Sequence, residues 1–407
     1  MGAPPSARLC FCALGGIPRP LDRPKKRVPQ VRLLGPGIPP PSTGTVHSER
    51  NHLQPDTSVK RVLIYRLGSL GDTAVALPCF HLIARAFPSA QRILLSNFPI
   101  HAKAPAAAAV LDGSGLVGGY MSYSTGSRSP IDVLRLIGKI RRFRPDLLVY
   151  LAAPRGEKAV RRDALFFRLC GVRRIIGLPA GDLATNRFDQ VTGLWESEAA
   201  RLLRSMASLG DADIQDPRSF DLRLTDAETA KATQLLAPFE GRPVLACGPG
   251  TKMQAKDWGQ DSWRQLLALL HSRYPEHALA LIGARDDSHA ADYAAAHWGG
   301  PKINLCGSLT PRETAAVLAR ATLFLGPDSG PMHLAACVGT PCVIAFSARG
   351  LPGVWFPAGP RNLVVYHQTT CHGCQLETCV TENRRCLTSI TVEEMAEAAS
   401  RLLSSIR

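Results

Sequence analysis

From residue 61 onward, short apolar runs alternate with segments whose apolar residues recur at helical spacing. "VLIY" (62–65) reads as a buried strand and "TAVALPCFHLIARAF" (73–87) as a helix. "RILLS" is the next strand, "VLRLIGKIRRF" a helix, and "DLLVYLA" a strand again. "RIIGL" and the helix "ESEAARLLRSMASLG" close a first half, and the polar, turn-rich "DADIQDPRSFDLRLT" breaks the rhythm. The alternation then resumes through "PVLACGPG", "DSWRQLLALLHSRY", "ALALIG" and "PRETAAVLARA". It reaches "LFLGPDSGPMHLAACVGTPCVIAF" (323–346), which reads as strand, bend, helix, turn and strand. Two such halves predict an α/β protein of two Rossmann-like, doubly wound parallel-sheet domains facing each other across a cleft. Ligands of such folds bind at the carboxyl ends of the strands. The expected boundaries are 59–220 and 221–390, with a last helix over 391–407 that Thr391 caps.

Residues 1–58 stand outside this rhythm. They hold eleven of the 32 prolines and no sustained period, so they are expected to be disordered, a Pro/Arg-rich leader. The 407-residue chain as a whole has ordinary globular composition, 45% hydrophobic and 20% charged, with no apolar run long enough to span a membrane. "ARLCFCALGGI" (7–17) lacks the basic flank and cleavage site of a secretion signal. The net charge of +15 is uneven, with nine Lys/Arg against three Asp/Glu in residues 1–60. Further basic clusters lie at "KIRRFRP" and "RLCGVRR". They lack interleaved aromatics and any nucleic-acid-binding motif, which leaves solvated helix faces or a surface for anionic lipid or an acidic acceptor.

Candidate chemistry falls at the strand ends. "RLGSLGD" (66–72) is neither GxGxxG nor a P-loop, which disfavours a dinucleotide-dependent oxidoreductase. Its turn aims Asp72 at a helix start, where a helix cap and a catalytic carboxylate are both open readings. In the bend after Leu325, Ser329 and Gly330 lie at a helix N-terminus, whose free N–H groups and dipole favour an anion. His333 can add a donor there, while Asp328 would repel phosphate and suits a turn cap or a ligand hydroxyl. The loop "GPGTKMQAKDW" adds Thr251, Lys252 and Lys256. Two anion-friendly loops in one half point to a diphosphate.

"RVLIYRLGSLGDTAVALP", "KDWGQDSWRQLL" and "FLGPDSGPMHLAACVGTPCVIAF" resemble the signature regions of glycosyltransferase family 9, the ADP-heptose:lipopolysaccharide heptosyltransferase-like enzymes. The resemblance covers about residues 61–405 and implies the GT-B fold, with the nucleotide-sugar donor held by the second domain and the acceptor by the first. It implies Asp72 as general base, with Gly68, Ser69 and Gly71 forming the acceptor-side loop around it. It implies donor binding by Lys256, by Asp286 or Asp287 at the ribose, and by the segment Ser329, Gly330, Pro331, Met332 and His333; Thr251 and Asp328 join this donor-side set from the reading of their own loops. The last helix is expected to cross back to the first domain. The implied reaction is inverting transfer of a sugar, heptose from ADP-heptose first among candidates, onto a lipopolysaccharide-core or related glycolipid acceptor. Another nucleotide sugar or acceptor, or a non-catalytic nucleotide-sugar-binding protein, stand as alternatives. The implied setting is cytoplasmic, at the inner face of the cytoplasmic membrane. No nucleic acid partner and no cofactor for catalysis are expected.

Cys371, Cys374, Cys379 and Cys386 form C-x2-C-x4-C-x6-C, while the other eight cysteines are scattered. The clustered spacing is ligand-like and raises a structural zinc or iron–sulfur site, or disulfides, against plain free thiols.

Overall fold

The computed structural model describes residues 32–34, 55–97, 106–123, 129–239, 241–380 and 382–406. Most of the leader expected to be disordered therefore lies outside the described residues. Its described strand β1 (Arg32–Leu34) runs antiparallel along the edge of the second sheet.

The first domain is built on β2 (Arg61–Tyr65), β3 (Gln91–Asn97), β4 (Gly119–Tyr123), β5 (Leu147–Tyr150) and β6 (Ile175–Ile176), all parallel in the order β4-β3-β2-β5-β6. The central strand β2 is buried from Val62 to Tyr65, as its apolar run requires when helices cover both faces. On one face lie α1 (Leu70–Val75), α2 (Leu77–Ala86) and α3 (Ala108–Leu111). On the other lie α4 (Pro130–Phe143) and α5 (Glu157–Leu169), whose Ile140 and Phe167 pack with Leu63, Leu148 and Tyr150. The single helix expected over 73–87 is two, joined at Ala76. Pro78 has no N–H for the carbonyl of Ala74, so the ladder breaks there.

A pair of two-residue strands, β7 (Phe188–Asp189) and β8 (Leu194–Trp195), precedes α6 (Glu198–Ser205). The chain then passes through the turn-rich break to α7 (Asp226–Leu236), started by a capping box between Thr225 and Glu228. The second domain contains β9 (Val244–Cys247), α8 (Gln260–Arg273), β10 (Ala278–Leu281), α9 (Ser288–Ala294), β11 (Lys302–Asn304) and α10 (Pro311–Leu318). It continues with β12 (Leu323–Pro327), α11 (Gly330–Cys337), β13 (Cys342–Phe346), β14 (Asn362–Tyr366), α12 (Arg385–Thr388) and α13 (Val392–Ile406). Its seven-stranded sheet has the order β1-β14-β13-β12-β9-β10-β11, parallel except for β1.

One apolar cluster runs unbroken from α1 and α2 of the first domain to α10, α11 and Phe324 of the second, so the domains share a core. Arg312 ties them further. Its buried guanidinium donates to the carbonyls of Val110, Leu222 and Arg223 and grips Glu228 with both forks, at 2.6 and 2.9 Å. The last helix, α13, expected to cross back to the first domain, packs on α8 and on strands β12–β14 among the described residues. Met395, Ala398, Ala399 and Leu402 form its apolar stripe, and the outer face of the second sheet offers Leu325, Val343 and Val365 to bury it. No helix among the described residues is long and apolar enough to cross a membrane.

Candidate active site

The carboxyl ends of both sheets open onto the gap between the domains. After β2 the chain turns through Gly68, whose φ of +119° suits only glycine; a β-carbon there would lie 2.3 Å from the Asp72 carboxyl carbon. Asp72 occupies the third position of α1, and its Oδ2 accepts the Ser69 N–H at 2.7 Å and the Ser69 hydroxyl at 3.3 Å. Beneath it Arg66 is 1% exposed, donates to the carbonyls of Leu151 (2.6 Å) and Asp72, and stands 3.9 Å from Asp72 Oδ1. The cap is therefore real, but it uses Oδ2. The carboxylate as a whole stays 30% exposed toward the gap.

Facing it is the start of α11. Ser329 caps this helix in an extended conformation, and its buried Oγ has no hydrogen-bond partner among the described residues. Gly330 lies against Leu70, and Gly71 lies against the His333 ring: β-carbons at these glycines would fall 3.1 Å and 2.9 Å from those side chains. The starts of α1 and α11 thus abut, and both positive helix ends point into one gap. His333 is buried, and desolvation, opposed in part by Asp328, pushes its imidazole down to about 4, so it is neutral near pH 7. Pro331 supplies a first-turn residue that needs no N–H partner. Met332 turns into the core, which leaves only its backbone to face a ligand.

The remaining predicted residues arrive on loops after β9, β10 and β12. Lys256 is paired with buried Asp328 at 2.7 Å. Lys252 is drawn below the usual lysine range chiefly by desolvation, with the charge of Lys256 adding to this and those of Asp72 and Asp287 opposing it. Asp287 and Asp286 separate clearly. Asp287 Oδ2 accepts the Ala284 N–H at 2.8 Å, and its carboxyl group covers Gly250, where a β-carbon would sit 2.3 Å away. Asp286 is exposed on the same turn. Thr251 lies at the mouth of the loop, its hydroxyl 3.4 Å from the Met253 N–H.

The four clustered cysteines are not gathered into a metal-ligating group among the described residues. Among the described residues no three His, Cys, Asp or Glu side chains stand close enough to hold a metal ion, and none of the four cysteines is joined in a disulfide. Cys379 Sγ accepts the Arg384 N–H at 3.2 Å, and Cys386 Sγ lies 3.8 Å from the Ser347 hydroxyl, its thiol raised by burial. The segment braces the Lys256 loop instead. Cys379 N–H donates to Gln254 Oε1 at 2.8 Å, Ala255 N–H to the Glu377 carbonyl at 3.0 Å, and Arg384 to Asp257 at 2.9 and 3.1 Å. Sequence reasoning missed this brace, and it missed Arg66 and Arg312, because a buried arginine carries no local signature. α5 was legible from Val160, Ala164 and Phe167 at helical spacing but was not read.

Known proteins resemble the chain in sequence and in fold. Residues 195–384 match the family model described as glycosyltransferase family 9 (heptosyltransferase). The chain is 30% identical over 109 residues to lipopolysaccharide heptosyltransferase 3 of Escherichia coli, a match over 26% of this chain and 32% of that protein. The first two curated relatives it matches are spanned over only 32% and 52% of their length. Its fold matches the glycosyl transferase family 9 structure from Veillonella parvula with a TM-score of 0.64 at 16% identity, covering 85% of this chain and 98% of that one. It also matches the E. coli ADP-heptose lps heptosyltransferase II structure with a TM-score of 0.60 at 17% identity, over 85% and 99%. The architecture is the two-domain GT-B fold.

Proposed function

Because the chain carries a glycosyltransferase family 9 (heptosyltransferase) domain over residues 195–384, we propose that it is an inverting glycosyltransferase. The donor it takes is a nucleotide-diphosphate sugar, ADP-heptose first, and the acceptor is a lipopolysaccharide-core or related glycolipid hydroxyl. The observation that carries this reading is the abutment of the two helix starts, which sets Asp72 beside the α11 N-terminus.

The donor diphosphate lies against the N–H groups that open α11, with the Ser329 hydroxyl as a further donor. Lys256 is held by Asp328 with N–H donors to spare and reaches the same charge. Asp287 faces the ribose hydroxyls, where a carboxylate is an acceptor. The acceptor hydroxyl enters from the first domain. Its oxygen bonds to the anomeric carbon as the bond from that carbon to the diphosphate oxygen breaks on the opposite face. The proton passes to Asp72, and the electron pair leaves with the diphosphate, whose growing charge the helix start and lysines stabilise. Neutral His333 packs the floor of the gap and can donate to the phosphate without adding charge.

The test is a melting screen with ADP-, UDP- and GDP-sugars. A ligand at a hundredfold excess over its Kd stabilises the folded chain by about 2.7 kcal/mol. ADP-heptose is expected to raise Tm most. A larger shift with a UDP- or GDP-sugar would reassign the donor, and no shift with any of them would sink the reading.

A further inference from the structure

The chain's charge is concentrated away from the cleft floor. Residues 130–174 hold twelve Lys/Arg against four Asp/Glu, a net +8 of the total +15. Helices α4 and α5 lie within this stretch, side by side on one face of the first sheet, and Arg141 donates to the Leu169 carbonyl at 2.8 Å to join them. Their inner faces bury Ile140, Val160 and Phe167.

Their outer faces are unusual in mixing cations with large apolar side chains. Ile131 is 59% exposed, Leu134 65%, Leu165 60% and Leu169 57%. With Val133, these two helices carry five of the ten exposed large apolar side chains among the described residues, although singly exposed apolar residues are ordinary. Around them stand Arg135, Lys139, Arg142, Lys158, Arg161 and Arg168, all exposed. The acids on these faces, Asp132 and Glu157, are each paired with one arginine of the same helix. Exposed apolar side chains among cations that outnumber the acids suit a bilayer interface carrying anionic headgroups. A crossover helix runs antiparallel to its strands, so the N-terminal ends of α4 and α5, with Ile131 and Leu134, lie toward the rim of the cleft that Asp72 faces.

We propose that the outer faces of α4 and α5 dock the protein on an anionic phospholipid bilayer, apolar side chains entering the headgroup region and the arginines and lysines meeting lipid phosphates. A surface-bound enzyme held this way presents its cleft rim to a membrane-embedded acceptor. This extends the proposed transfer reaction but does not depend on the donor.

The test is co-sedimentation of the full chain with phosphatidylcholine vesicles, with and without phosphatidylglycerol, in the absence of donor. Binding is expected only with phosphatidylglycerol and is expected to weaken with added salt. Reversing Lys139, Arg142, Lys158 and Arg168 to Glu cancels the net charge of the stretch and should reduce binding at least about tenfold. A second variant, Ile131→Ser with Leu134→Ser and Leu165→Ser, keeps the charge and should reduce binding about tenfold through lost apolar contact. Both should melt with the wild type and retain its response to nucleotide sugars. Failure of the wild type to sediment overturns the docking proposal while leaving the transfer reading intact. So does wild-type binding by both variants, which would place the contact elsewhere, as in the basic residues 1–60. A wild-type dimer in solution that the serine variant makes monomeric would also overturn it, in favour of a protein interface.

Discussion

Replacing Asp72 by Asn separates the two roles its position supports. The cap is a bond from the Ser69 N–H to Oδ2 at 2.7 Å, and the Asn oxygen can accept it equally well. What Asn loses is charge, whose nearest partner is Arg66 at 3.9 Å from Oδ1. With the carboxylate 30% exposed, that attraction is screened to about 0.5 kcal/mol. Arg66 itself stays bonded to two backbone carbonyls. The expected stability loss is therefore under about 1 kcal/mol, a fall in Tm of at most about 2–4 °C. Loss of a general base is a different scale, about 10²–10⁴ in turnover or roughly 2.7–5.4 kcal/mol of barrier. The assay is single-turnover transfer from ADP-heptose to a truncated lipopolysaccharide core, with donor Kd measured in parallel. Turnover should fall by about 10²–10⁴ while donor Kd holds within about threefold, because donor contacts lie in the second domain. Asp72→Ala is the control for the cap and should cost about 1 kcal/mol more than Asn. If the Asn variant turns over at nearly the wild-type rate, Asp72 is a cap and nothing more, and the mechanism falls with it.

Arg312→Met should be among the most destabilising single changes, by about 3–5 kcal/mol in urea unfolding, because it strands Glu228 and three carbonyls at the domain junction; a loss under about 1 kcal/mol would show that the junction does not rely on it. Lys256→Met should weaken donor binding about tenfold or more and also destabilise the chain, since it leaves Asp328 buried without its cation. Adding Asp328→Asn should restore the stability but not the affinity; recovery of both would mean Lys256 serves only the pair. His333 binds its proton in the unfolded chain near pH 6.5 but only near pH 4 when folded, so the unfolded state holds more protons between those values. Its share of stability is full above pH 6.5 and is lost as pH falls toward 4, about 3 kcal/mol in all; a His333→Gln variant should flatten that part of the stability–pH curve, and an unchanged curve would refute the assignment.

The local grammar of the chain marked the central strands, several helices and the strand-end positions. Fully apolar runs such as 62–65 and 323–325 can only be strands buried on both faces, and Gly-Asp and Ser-Gly turns after them can only open helices. Asp72, Lys256 and the Ser329–His333 segment were legible as strand-end positions for that reason, and the signature runs resemble those of glycosyltransferase family 9. Tertiary structure decided which of these surfaces meet. That Gly71 takes the ring of His333 and Gly330 takes Leu70 depends on two glycines chosen for what they lack, and an absent side chain leaves no pattern in the sequence. That the Asp287 carboxyl lies over Gly250 while Asp286 stays exposed depends on Gly250, far away in the chain, being bare enough to be covered. Helix α13 has the same amphipathic stripe whether it crosses to the first domain or stays; the apolar face beside α8 settles it. Likewise the cysteine spacing fits a metal, yet in the fold the stretch around Cys379 is spent holding the Lys256 loop in place. Periodicity and capping act over a few residues and can be read from the chain, whereas the site is made by close approach between residues that only the folded domains bring together.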